Sequence, residues 1–191
     1  MCSRPALSPC DAIGQSGAAE QAEPGIAVRA HFEMMANYNA WANALLYDSV
    51  CSLPAEAYRR DLGAFFGSLH ATLNHIYVAD TIWMSRFRDL PNPPWKLDHI
   101  AHDDLTDLRK RREALDRDII GFVGGLAETM LQNEFSYFAV LDSARVTLKM
   151  APALAHFFNH QTHHRGQCHA MLSQLGTDPP ALDLIYYHRD R

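Results

Sequence analysis

Residues 152–176 read P-A-L-A-H-F-F-N-H-Q-T-H-H-R-G-Q-C-H-A-M-L-S-Q-L-G and carry five of the chain's 11 histidines. Apolar residues recur at Leu154, Phe157, Cys168, Met171 and Leu175, the threes and fours of a helix with one buried face. Pro152 suits a first helical turn, where its missing N–H leaves no bond unmade. Gly176 suits the left-handed position that ends a helix, and Pro179 and Pro180 bar continuation. On this helix His156, His160 and His164 climb in steps of four residues, each about 6 Å along the axis and about 40° around it. Two imidazoles so placed can converge on one ion, the geometry of the H-x-x-x-H metal-binding pattern.

The run His160-Gln161-Thr162-His163-His164 comes close to H-E-x-x-H, the metalloprotease pattern in which a glutamate is general base beside the metal. Gln161 stands in the glutamate's place, and an amide cannot take a proton from an activated water. Protease chemistry of that type is therefore not expected. A lone histidine on such a helix is ordinarily a hydrogen-bonded core residue, and an i, i+4 pair needs a third ligand from elsewhere. An upstream helix offers His70 and His75. Five residues apart, they point about 140° away from each other, so both cannot serve one site.

The rest of the chain sets the frame. At 191 residues and 48% hydrophobic content it can bury one core. Residues 1–25, mostly Ala, Gly, Ser, Pro and Gln without periodicity, read as a disordered tail, and 26–191 as the folded domain. A net charge of −5 gives a nucleic-acid partner no electrostatic support. The four cysteines lie far apart, with no C-x-x-C, as suits a reducing compartment. No run is apolar enough to span a bilayer and no signal peptide is recognisable, so a cytoplasmic location is expected.

In chain order, a first helix is expected from about Ile26 to Leu53, ended by Pro54. Within it Asn37, Asn39 and Asn43 are poor helix formers, and Asn39 is the preferred candidate for a hydrogen bond behind a site. A second helix is expected from about Gly63 to Leu90, with Phe66, Leu69, Leu73, Ile76, Asp80, Trp83 and Phe87 along one bundle seam. Asp80 is costly there unless paired. Residues 91–101 form a connector, and a third helix follows from roughly Asp103 to Gln132. Its run Arg109-Lys110-Arg111-Arg112 sits among acids and reads as a solvated, salt-bridged face. Residues 134–149 break into two β-rich runs around Leu141-Asp142-Ser143-Ala144, a small hairpin. The expected fold is all-α: an antiparallel four-helix bundle with a β-hairpin inserted before the last helix.

The segments L-N-H-I-Y-V-A-D-T-I-W-M at 73–84, H-F-F-N-H-Q-T-H-H-R-G-Q at 156–167 and the ending D-L-I-Y-Y resemble the DinB family of small bacterial four-helix-bundle metalloproteins. The resemblance spans about residues 28–188. It implies a divalent metal held by three histidines, which by motif fall on His75, His160 and His164, and so it chooses His75 over His70. Only His164 completes the four-residue step from His160; His163 lies about 60° back. Gly166 is read as allowing close approach of a neighbouring helix. Asp80, His156, Gln161 and Gln167 join Asn39 as residues expected to support the site.

Three neutral histidines leave a metal open to further ligands, as catalysis requires. The ligand set suits Zn, Ni, Fe or Mn. Relatives implied by the resemblance include mycothiol-dependent maleylpyruvate isomerase and bacillithiol transferases, which use a low-molecular-weight thiol. The expectation is a metal-dependent enzyme acting on a small-molecule substrate, either a thiol S-transferase or a hydrolase, working as a homodimer. The alternative is a non-catalytic metal-binding or stress-response protein.

Overall fold

A computed structural model describes residues 27–140 and 144–189 of the chain. The described chain runs α1 (Val28–Cys51), short α2 (Ala55–Arg59), α3 (Leu69–Phe87) and α4 (Leu105–Gly124). A 3-10 turn at Glu128–Gln132 leads to the hairpin β1 (Glu134–Phe138) and β2 (Arg145–Lys149), then α5 (Met150–Gln174) and short α6 (Leu184–Arg189). The expected tail, residues 1–25, and most of the expected hairpin turn lie outside the described residues. No helix among the described residues is long and apolar enough to cross a membrane.

Local chemistry sets the helix ends. The Ser68 hydroxyl accepts from the Ala71 N–H at 3.2 Å and starts α3, and Asp104 caps α4 through the Asp107 N–H at 2.9 Å. Gly176 takes φ +76° just beyond α5, as its place in the sequence predicts. The periodicity that predicts a helix from Gly63 overshoots. Gly63 and Gly67 both have positive φ, and the chain turns there through Gly67 N–H to Ala64 C=O at 2.8 Å. Phe66 therefore sits in a turn before α3 and not on the helix seam. The third helix likewise stops at Gly124, eight residues short of Gln132, where the glycine pair Gly124-Gly125 weakens it.

α1, α3, α4 and α5 form the bundle, α1 antiparallel to α4 and α3 antiparallel to α5. Asn43 of α1 reaches Asp116 of α4 while Asp48 meets Arg109, and Trp83 of α3 faces His156 of α5 while His75 faces His164. The connector between Phe87 and Leu105 carries the chain back along α3. Asn74 fixes its far end, donating to the His102 carbonyl at 3.0 Å and accepting the His102 N–H at 2.9 Å. The hairpin pairs in register from Glu134 with Lys149 to Phe138 with Arg145.

The core has two apolar layers. One gathers Phe32, Trp83, Phe87, Ile119, Phe157 and Phe158 at the hairpin end. The other gathers Leu46, Leu69, Leu73, Leu108, Met171 and Leu172 at the opposite end. Between them lies a buried polar layer with one or two residues from each helix: Asn39 and Asn43, Asp80, Arg112 and Asp116, Gln161 and Arg165. Arg112 Nη1 donates to Asp80 at 2.5 Å, and its Nη2 pairs with Asp116 at 2.8 Å. Asn39 and Asn43 donate to Asp116 at 3.0 and 3.1 Å, and Arg165 donates to Asn39. Reading the whole basic run as solvated is therefore wrong at its end. Lys110 and Arg111 are exposed, but Arg112 and Asp116 turn inward, 2% and 5% exposed, because they fall on the helix face of Leu108 and Ile119.

Residues 182–187 pack back on α1. Tyr187 packs edge-to-face against Tyr38 and Trp41, and the Tyr38 hydroxyl donates to the Leu182 carbonyl at 2.6 Å.

Candidate metal centre

α3 and α5 bring His75, His160 and His164 together, with one ring nitrogen of each within 4.8 Å of the others. Ring centroids stand 4.4 Å apart for His160–His164, 4.5 Å for His75–His164 and 5.2 Å for His75–His160. The Nε2 atoms of His75 and His160 are 3.3 Å apart. Two nitrogens each about 2.05 Å from one tetrahedral zinc ion would be separated by about 3.3 Å.

A backbone hydrogen bond sets the tautomer of His75. His75 Nδ1 is 2.7 Å from the Leu97 carbonyl, which can only accept, so this nitrogen carries the proton and Nε2 the lone pair. His164 Nδ1 lies 2.9 Å from Gln167 Oε1, and Gln167 Nε2 lies 3.0 Å from His163 Nε2. His160 Nδ1 is buried without a partner among the described residues. Burial, then the neighbouring histidines, pushes His160 down to about 3. Burial brings His164 to about 4 against its Gln167 hydrogen bond, and lowers His75 as well. Three neutral imidazoles with ring nitrogens converging within 4.8 Å are what a divalent cation requires, so the donor set fits one. Phe66 closes this side, stacked on His75 at 4.0 Å.

The other expected supporting residues divide. Gln167 is in contact with His164, as above. His156 packs tilted against Trp83 with ring centres 5.1 Å apart, its ring 5.9 Å from His160. Gln161, Asp80 and Asn39 instead belong to the polar layer: Gln161 Nε2 donates to Asp80 Oδ2 at 2.9 Å. Asp80 is thus paired. Burial raises its carboxyl to about 6 while Arg112 and Gln161 oppose the rise. Asp80 Oδ1 and Gln161 Oε1 have no partner among the described residues. His70 turns away toward Tyr58 and Asp103. Close helix approach does not explain Gly166, since a Cβ there would meet nothing within 4 Å.

Four contributors carried no usable signal in the sequence. The Leu97 carbonyl is backbone, and Asn74, which holds the connector that presents it, looks like any helix asparagine. Phe66 mimics a helix position, and Arg165 lies buried behind the histidines, 2% exposed. Beside the centre a cavity of about 380 Å³ opens between α3, α5 and the hairpin, with His75 and His160 in its wall.

A helical bundle with three converging histidines beside a cavity defines the class. The chain belongs to the DinB family, whose family model matches residues 28–191. It is 25% identical over 142 residues to Protein DinB of Bacillus subtilis (strain 168), covering 73% of this chain and 83% of that protein. The fold is similar to the crystal structure of a DinB-like protein from Bacillus cereus ATCC 10987, with a TM-score of 0.54 at 15% identity. That match covers 74% of this chain and 90% of the other.

Proposed function

We propose that the protein is a metal-dependent enzyme in which His75, His160 and His164 would hold one divalent transition metal beside the cavity. The observation that carries this reading is the 3.3 Å approach of the His75 and His160 Nε2 atoms, with His75 fixed as a lone-pair donor by the Leu97 carbonyl. When bound, the cation supplies Lewis acidity, lowering the pKa of a thiol or water that coordinates it. The chain's own part is to hold three neutral rings in place, to exclude solvent with Phe66, and to admit a small molecule beside Trp83 and His156. Gln161 points at Asp80 and not at the histidines, so no glutamate-like base stands where a metalloprotease has one. That favours a thiol S-transferase over a hydrolase, since a coordinating thiol is deprotonated outright. The same lack of a base favours the second reading, a non-catalytic metal binder.

The test is titration of the cobalt-substituted protein with a small thiol at millimolar concentration. A sulfur-to-metal charge-transfer band in the near ultraviolet, lost in His160→Ala, supports the transferase reading. An unchanged spectrum moves hydrolysis or simple binding ahead. Light scattering at micromolar concentration tests the expected homodimer.

A further inference from the structure

Arg86, in the last turn of α3, is only 9% exposed, yet no carboxylate meets it among the described residues. Its guanidinium carbon lies 4.2 Å from the Tyr137 ring centre and 4.8 Å from that of Trp83. Nη2 makes one long bond, 3.4 Å, to the Phe138 carbonyl, and the buried Nε has no partner. A buried cation without counter-charge is costly. The two other deeply buried guanidiniums among the described residues, Arg112 and Arg165, both face the acids of the polar layer.

Arg86 lines the same cavity as His75 and His160, whose walls are otherwise largely apolar: Ala79, Ile82, Trp83 and Val140. Contacts run the length of it, from Arg86 onto Trp83, Trp83 onto His156 at 5.1 Å, and His156 onto His160 at 5.9 Å. A guanidinium packed against rings presents its edge, and the group that matches that edge in two parallel hydrogen bonds is a planar carboxylate. We propose that Arg86 anchors the carboxylate of a small substrate whose apolar body fills this cavity and whose reacting group reaches the three histidines. This rests on the metal-dependent reading above and adds to it the class of substrate.

The test compares 4-phenylbutyrate with its neutral amide by calorimetry, using the full chain both zinc-loaded and chelator-treated. In the chelator-treated protein the carboxylate is expected to bind about tenfold or more tighter than the amide. Arg86→Gln should abolish that preference and Arg86→Lys keep part of it, with unchanged circular dichroism and zinc content. Arg86 serving only to glue the hairpin to α3 would leave the preference unmoved. Equal or undetectable binding of both probes by the wild type overturns the proposal. So does a preference that needs zinc and survives Arg86→Gln, which would put the carboxylate on the metal. An Arg86-dependent preference in a protein that takes up no zinc would sink the metal reading and leave the anion site standing.

Discussion

Two polar clusters share α5 and differ in what they lack. Gln161 follows His160 and Arg165 follows His164, each about 100° further round the helix, so one row faces the bundle's interior and the other faces α3 and the cavity. The interior row joins a layer holding two carboxylates, Asp80 and Asp116, and two guanidiniums, Arg112 and Arg165, whose charges cancel within the protein. The histidine row sets like against like. Three neutral rings face one another with no acid to answer them among the described residues, and burial keeps protons off them. The first cluster is balanced by its own members, and the second is left with a donor set that could hold a metal ion. Proximity of polar groups does not by itself make a site; the difference between the two clusters is whether their charges and lone pairs are already answered within the protein.

The sharpest way to break the balanced cluster is Arg112→Met, which leaves Asp80 and Asp116 buried without their shared partner. Urea denaturation should show a loss of about 3–5 kcal/mol, with a melting temperature lower by roughly 10 °C. A loss under about 1 kcal/mol would mean the layer carries little of the fold.

Acid should act mainly on the unbalanced cluster. In metal-free protein His160 and His164 titrate at about 3 and about 4, below the ordinary 6.5, so the unfolded chain takes up protons first. Their contribution to stability is present above pH 6.5 and drains away as pH falls toward 4. Asp80, raised from 3.8 to about 6, works in the opposite direction over a narrower window. Thermal melts of chelator-treated protein should therefore fall between pH 6.5 and pH 4, and less steeply in His160→Phe. A melting temperature that rises over that range would contradict the assignment.

Smaller effects separate supports from bystanders. Gln167→Leu removes the acceptor that orients His164 and should weaken zinc about tenfold, read by competition with a chromogenic chelator. His70→Ala and His163→Ala should leave zinc stoichiometry intact. If His70→Ala emptied the site, the facing of α3 described above would be wrong.

The bundle was legible because apolar periodicity survives in a single sequence, and the four-residue step of His160 and His164 is a fixed property of a helix. The start of α3 was not, because Phe66 falls in phase with the seam that follows and only the positive φ of Gly63 and Gly67 marks the turn. Asp80 was legible as a residue needing a partner, but the partner was hidden. Arg112 ends a basic run that otherwise faces solvent, and nothing in the run says which member turns inward. Leu97 stayed invisible for a plainer reason: what it gives His75 is a carbonyl, which every residue has.

Everything proposed for the histidine cluster turns on whether it takes up one cation. Native mass spectrometry of untagged protein, with elemental analysis of the same sample, tests it most directly. One divalent transition metal per chain is expected in the wild type, and none in His75→Ala, His160→Ala or His164→Ala under the same purification. A wild type that takes up no zinc, nickel, iron or manganese at micromolar concentration, or a His160→Ala variant that holds metal as the wild type does, would contradict it.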